Sequence, residues 1–246
     1  MTNIKRLLYQ GSPNEIFLTT AFKEKSSARN DFYGYKKSGW VEALGYGAFI
    51  KKNGVPTLLA GINALQYKAD YKIHSGGRYA LEQYHGKTHF VRHDDLPELF
   101  CSERKPLPKW FEANFAETFK LFRTRFLSDD IGLQEIKEDG LKIEVSTPER
   151  AFLEMLYTGS VSTVEAYQIM ETMTVVKPDL LNEMLSCCAS IKVKRLFLYL
   201  ASKVGYAWFK KLDLDRINLG RGVRVIDKSG HFHKEWNIVA DDVKEE

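Results

Sequence analysis

Apolar residues at the start of the chain recur in short helical groupings. Ile4, Leu7 and Leu8 share one helical face, and Gly11-Ser12-Pro13-Asn14 ends that helix with turn chemistry. Leu18-Thr19-Thr20 leads into a second short helix over 20–25, with a threonine as its N-cap. A third helix is predicted from about 28 to 38, opened by Ser26-Ser27 and closed by Gly39 in a left-handed cap. On it Ala28, Phe32 and Tyr35 follow i, i+4, i+7 and form a narrow apolar stripe. Arg29, Asn30, Tyr33, Lys36 and Lys37 fall on the other side. Gly34 inside this helix costs about 1 kcal/mol relative to alanine, so the helix depends on tertiary packing. After Trp40, extended runs over 41–44 and 48–52 flank Gly45-Tyr46-Gly47, a hairpin pattern with an aromatic residue at its tip. Three helices and a hairpin in this order predict a winged helix-turn-helix over 1–54.

Asn53-Gly54-Val55-Pro56 marks a boundary, and a mixed pattern follows. Helices are expected over 57–66 and 78–84, with extended pieces at 71–74, 89–91, 98–100, 119–126, 133–135 and 142–145. The acidic stretch 128–140 reads as exposed turns. From Ser146 the chain becomes helical: Ser146-Thr147-Pro148-Glu149 has capping-box spacing, and Ala151, Phe152, Met155 and Leu156 supply an apolar face. Further helices are expected over 164–173, 178–188 and 192–203, and a closing hairpin over 220–239 that turns at Lys228-Ser229-Gly230. The fold class is α+β. A winged helix-turn-helix over 1–54 precedes a larger mixed α+β domain over 55–246 whose later part is helical.

Composition alters this picture little until charge is divided along the chain. The 246 residues are 44% hydrophobic, enough for a substantial core, and the net charge is +4. Residues 1–52 hold 9 Lys/Arg against 4 Asp/Glu, residues 53–191 hold 15 against 20, and residues 192–224 hold 9 against 2. Two basic blocks therefore flank an acidic middle, a pattern suited to meeting an anion at two places. Cys101, Cys187 and Cys188 have neither disulfide-framework nor zinc-site spacing. Met1–Arg6 is not followed by an apolar signal core, and no apolar run approaches the ~18–20 residues that span a bilayer. The expectation is a cytoplasmic protein with no membrane partner.

No phosphate-binding glycine loop, nucleophile elbow or zinc-protease motif is present, and no cofactor or metal is expected. His74, His85, His89 and His93, followed by Asp94 and Asp95, form the one cluster that offers the ligands for a metal-dependent, nucleic-acid-processing enzyme. Ordinary surface or partly buried imidazoles would show the same pattern. His231 and His233 share a strand face in a hydrophilic hairpin, where solvated imidazoles are usual. The first basic block has a more specific shape. Arginine reads guanine through two parallel hydrogen bonds, asparagine reads adenine, and lysine, tyrosine and serine hold phosphates. Ser27, Arg29, Asn30, Tyr33, Lys36 and Lys37 would form such a reading face, with Tyr46 at the wing tip and Lys51 and Lys52 at its base. A solvated helix face, or a winged helix used for protein docking without DNA, would present the same residue types. In the second block Val193, Leu196, Phe197, Leu200 and Val204 make a core face. Lys192, Arg195 and Tyr199 are then expected on an opposing polar stripe. Lys192, Arg195, Lys203, Lys210, Lys211, Arg221 and Arg224 outline a possible second basic surface.

These segments also resemble a known family. Leu18-Thr19-Thr20, Tyr35-Lys36-Lys37-Ser38-Gly39-Trp40 and Leu44-Gly45-Tyr46-Gly47-Ala48-Phe49 look like the N-terminal winged helix of AbiEi-type antitoxins. His74-Ser75-Gly76-Gly77 with Ala80-Leu81-Glu82 resembles that family's V-G-G-x-x-A-L-E element. Leu107-Pro108-x-Trp110-Phe111, Ser146-Thr147-Pro148-Glu149-Arg150-Ala151, Lys192-Val193-Lys194-Arg195-Leu196-Phe197-Leu198 and Gly220-Arg221-Gly222-x-Arg224 are similar to later blocks. The matches are colinear over nearly the whole chain. The resemblance implies a non-enzymatic antitoxin of an abortive-infection, type IV toxin–antitoxin system. Such a protein represses its operon by binding inverted repeats in double-stranded DNA. It counters a nucleotidyltransferase-type toxin without a stable complex. Carried over by position, the DNA-reading face falls on Ser27, Arg29, Asn30, Tyr33, Lys36 and Lys37, with Tyr46 in the wing.

Overall fold

The computed structural model describes residues 8–22, 25–85 and 96–243, and the chain divides into two compact units. The first comprises Met1–His74, Leu99–Arg123 and Glu135–Val145, and the second Ser75–Glu98, Thr124–Gln134 and Ser146–Glu246. The architecture is α+β, as expected.

In the first unit, strand β1 (Ile16–Leu18) is followed by one 3-10 turn (Thr19–Ala21), helix α1 (Lys25–Lys37) and strands β2 (Val41–Gly45) and β3 (Ala48–Lys51). The strands pair antiparallel in the order β1-β3-β2, with Phe17 opposite Phe49 and Ala43 opposite Phe49 from the other side. Strand, turn, helix and hairpin in this arrangement are the body of a winged helix. Its core is Leu8, Phe17, Ala28, Phe32, Val41 and Phe49, with Phe22 and Tyr35 packed against it. The predicted stripe of Ala28, Phe32 and Tyr35 thus faces inward. Two expectations differ. Of the helix expected over 20–25, the described residues before α1 show only the 3-10 turn Thr19–Ala21, without a side-chain cap, where Leu18 is held in β1 and Phe22 packs on the core. Helix α1 begins at Lys25, which places Ser26 and Ser27 inside its first turn.

Helix α2 (Leu58–Lys68) is capped by Thr57, whose hydroxyl accepts from the Ala60 N–H at 3.2 Å. It packs within the first unit: Lys68 Nζ donates to Glu15 and to the Ile16 carbonyl at 2.7 and 2.6 Å. The compact unit containing the winged helix therefore extends past residue 54. Strands β4 (Ile73–Gly76), β5 (Glu98–Cys101), β6 (Lys120–Arg123), β7 (Leu133–Glu138) and β8 (Leu141–Ser146) form a sheet of order β6-β5-β4-β8-β7. The extended piece expected at 133–135 is β7, which runs on to Glu138 within the stretch otherwise expected as acidic turns. The strand expected at 89–91 lies outside the described residues. Helix α3 (Gly77–His85) follows β4, and α4 (Lys109–Phe115) is a helix that periodicity did not suggest. It is short, and Trp110, Phe111 and Phe115 bury most of its length.

The second unit contains helices α5 (Pro148–Thr158), α6 (Thr163–Thr172), α7 (Pro178–Cys187) and α8 (Ile191–Val204). Pro148 opens α5, but the capping box does not form. Thr147 makes no side-chain cap, Ser146 donates to Glu154 at 2.7 Å, and Glu149 accepts from the Lys177 N–H at 2.9 Å. Glu154 is wholly buried, takes a second bond from the Gly77 N–H at 3.2 Å, and pairs with Arg150 Nε at 2.9 Å. Arg150 also donates to the Ser128 and Ile131 carbonyls. A buried ion pair is tolerated when its remaining donors and acceptors are satisfied in this way. The closing segment is not one hairpin. Strand β11 (Ile238–Ala240) pairs antiparallel with β10 (His231–His233) and parallel with β9 (Arg224–Val225). The turn at 228–230 therefore joins two strands that lie on opposite sides of β11.

Candidate nucleic-acid interface

Helix α1 is held by one face, which leaves the other to solvent. Phe32 stacks on Phe49 with ring centroids 4.9 Å apart, and also meets Phe17 and Phe22. Ser27, Arg29, Asn30, Tyr33, Lys36 and Lys37 are all exposed, at the spacing that one helical face requires. Ser27 sits in the first turn, where backbone N–H groups lack intrahelical partners and the helix dipole favours an anion. Lys36 and Lys37 lie in the last turn, where they also complement the carbonyl end of the dipole. The helix stops at Gly39, whose φ of +73° suits glycine, and its N–H bonds to the Lys36 carbonyl at 3.0 Å. The Trp40 N–H returns to the Tyr35 carbonyl at 2.9 Å and directs the chain into β2.

The wing brings Tyr46 back beside α1. Tyr46 is 76% exposed at the hairpin tip, and its hydroxyl accepts from Arg29 Nη1 at 2.9 Å. The Arg29 guanidinium also lies 4.7 Å from the Tyr46 ring centroid and 5.7 Å from that of Tyr33. Sequence spacing gives no sign of this cluster, because Arg29 and Tyr46 belong to different elements. Lys52 is exposed at the base of the wing. Lys51 differs from expectation: it is half-buried, its Nζ donates to the Gly11 carbonyl, and burial lowers its pKa. Strand β3 is buried from Ala48 to Ile50, and Lys51 at its end is drawn to the Gly11 carbonyl, so it does not join the exposed face.

The second basic block is divided by the fold. Lys192, Lys210, Lys211, Arg221 and Arg224 are exposed, and Lys203 is half-buried. Arg195 corrects the expected polar stripe. It is 2% exposed, with Nε donating to the Leu219 carbonyl at 2.8 Å and Nη1 to those of Gly222 and Asn237. Burial lowers its pKa, with Arg224 adding to the effect. Tyr199 is buried as well, and its hydroxyl donates to the Asp241 carbonyl at 3.1 Å. Helix α8 is buried continuously from Val193 to Ala201, so no stripe on this stretch is free for charge.

His74 is buried and stacks on Phe100 at 5.7 Å. The remainder of the expected cluster, His85 with His89, His93, Asp94 and Asp95, lies outside the described residues and side chains. His231 and His233 both approach Asp242, at 2.7 and 3.6 Å. Among the described residues, no group of three His, Cys, Asp or Glu side chains is placed to hold a metal ion. No described helix is long and apolar enough to cross a membrane.

The first unit therefore carries a winged helix with a cationic, aromatic-flanked helix face, and the class is that of a winged-helix regulator. A family model described as "Transcriptional regulator, AbiEi antitoxin, Type IV TA system" matches residues 98–241. The family's "AbiEi antitoxin N-terminal domain" matches residues 1–93. The chain belongs to the AbiEi antitoxins, transcriptional regulators of type IV toxin–antitoxin systems. Among solved structures it is similar in fold to the crystal structure of RV2827C protein from Mycobacterium tuberculosis. That similarity has a TM-score of 0.57 at 10% identity, over 96% of this chain and 89% of that one. No curated protein matches the sequence.

Proposed function

We propose that this chain is a cytoplasmic autorepressor and antitoxin. Residues 1–54 bind operator DNA, and residues 55–246 counter a nucleotidyltransferase-type toxin without a stable complex. The observation that carries the DNA half is the exposed face of α1, where Arg29, Asn30, Tyr33, Lys36 and Lys37 lie opposite a helix face locked into the core. A helix of this kind in the major groove reads bases with Arg29 and Asn30 and holds phosphates with Ser27, Lys36 and Lys37. Tyr46 and Lys52 in the wing lie alongside. Lys192, Lys203, Lys210, Lys211, Arg221 and Arg224 are a second cationic surface within the antitoxin portion.

A gel-shift titration on the DNA upstream of the reading frame tests the repressor reading. Retardation that weakens steeply with salt is expected, since each neutralised phosphate releases counterions. No retardation at low salt overturns it. Co-expression with a nucleotidyltransferase encoded alongside tests the antitoxin half. Growth rescued by the full chain and by a variant lacking Arg29 is expected, because neutralisation is assigned to residues 55–246.

A further inference from the structure

We infer that Tyr46 and Tyr33 are positioning residues for Arg29, so that helix and wing act as one guanine-reading element. This rests on the DNA-binding reading above and narrows it: Tyr46 acts through an arginine and is not an independent phosphate contact of the wing.

The geometry assigns the roles. Arg29 Nη1 donates to the Tyr46 hydroxyl at 2.9 Å, while the guanidinium packs 4.7 Å from the Tyr46 ring and 5.7 Å from the Tyr33 ring. The Tyr33 ring is itself set edge-on against Phe49 of the core, at 5.7 Å. The wing tip is anchored from below, since the Gly47 carbonyl accepts from the Thr19 N–H at 2.9 Å. Both tyrosines therefore rest on fixed parts of the domain while remaining exposed, at 44% and 76%. Among the described residues no carboxylate pairs with Arg29. A free arginine loses rotamer freedom when it engages a ligand, and two ring faces with one hydroxyl remove much of that cost in advance. One N–H is used by Tyr46 and the rest of the planar fork is left to donate. Guanine presents O6 and N7 in the major groove at the spacing that such a fork matches. A lone phosphate does not require the fork's orientation and is held as well by lysine.

The test is selection from a randomised DNA duplex pool by the full-length protein and by its R29A, R29K, Y46F and R29A/Y46F variants. It is followed by titration of the wild-type-selected duplex and of a scrambled duplex. Wild type is expected to select a G·C pair at one position whose preference is lost in both R29A and R29K. Y46F keeps the ring but not the hydroxyl. It should relax the same position and weaken the selected duplex about three- to tenfold, the range of one lost hydrogen bond. Affinity for the scrambled duplex and its salt dependence should stay unchanged, and the double variant should be no worse than R29A. The inference is overturned if Y46F keeps the preference at that position, weakens both duplexes alike, or adds fully to R29A. Failure of wild type to retain any duplex overturns the DNA-binding reading itself and this inference with it. The wild-type arm thus separates the two failures.

Discussion

Arg29 in α1 and Arg195 in α8 each lie in a helix whose pattern predicts one apolar and one polar face, and both are expected at the surface. Arg29 is there, supported by two tyrosine rings and free of any described carboxylate. Arg195 is 2% exposed and gives its hydrogen bonds to the carbonyls of Leu219, Gly222 and Asn237. The difference lies in how much of each helix is covered. Helix α1 packs by the stripe of Ala28 and Phe32, whereas α8 is enclosed from Val193 to Ala201. A cation in an enclosed helix is retained only where backbone carbonyls replace the water it loses. A cation predicted at the surface thus stays exposed in one helix and anchors a loop in the other.

Replacement at Arg195 makes the largest difference between the two. Arg195→Met leaves the Leu219 and Gly222 carbonyls without their donor, while Asn237 keeps the Arg224 N–H, and should lower stability by about 3 kcal/mol, read from urea unfolding. Arg29→Ala should change unfolding by no more than about 0.5 kcal/mol, as is usual for an exposed side chain. A similar loss in both variants would break the comparison. On DNA the order reverses: Arg29→Ala should cost about 1–3 kcal/mol on the preferred duplex. Replacing Lys36 and Lys37 by alanine should weaken all duplexes alike and lower the salt slope by about 0.9 per lost phosphate contact, measured by titration across salt.

The loop that Arg195 anchors gives a smaller effect. Gly220 has φ of +65°, and a Cβ there would meet Ile191 at 3.2 Å. Gly220→Ala should therefore destabilise by about 1 kcal/mol while leaving DNA affinity unchanged. The smallest effect, because Tyr67 is 47% exposed and solvent screens its interactions, is a pH control within the unit that holds Arg29. The Tyr67 hydroxyl is pushed up to about 12, first by burial and then by its hydrogen bond to Glu135. A phenol whose folded pKa exceeds its unfolded value contributes stability that is fully present below about 10 and is lost as pH rises through the folded pKa. Unfolding midpoints of wild type and Tyr67→Phe should thus converge as pH rises from 10 towards 12. DNA binding at neutral pH should not distinguish them.

Much of the first unit was legible because its signals are local. The stripe on α1, the glycine stop at Gly39 and the hairpin around Tyr46 each depend on neighbours within a few residues, and each forms. The 3-10 turn at Thr19–Ala21 was not legible, because tertiary packing of Phe22 overrides a threonine cap that looks adequate in sequence. Ser146 and Glu149 have the spacing of a capping box. The structure directs Ser146 to Glu154 and Glu149 to the Lys177 N–H, partners that spacing around the cap does not reveal. Lys51 and Arg195 were misplaced for a shared reason. A long cationic side chain looks the same in sequence whether its head reaches water or a carbonyl.

By itself the chain determined the α+β class, the winged-helix order, the apolar stripe of α1 and, through colinear short matches, the family. Those properties follow from periodicity, turn residues and order, which survive without knowledge of what packs against what. Tertiary structure alone decided which cations stay free. It enclosed Arg195 among carbonyls, turned Lys51 to Gly11, and set Tyr46 beside Arg29. Exposure depends on elements far apart in sequence, and so does the support that Tyr46 gives the Arg29 guanidinium.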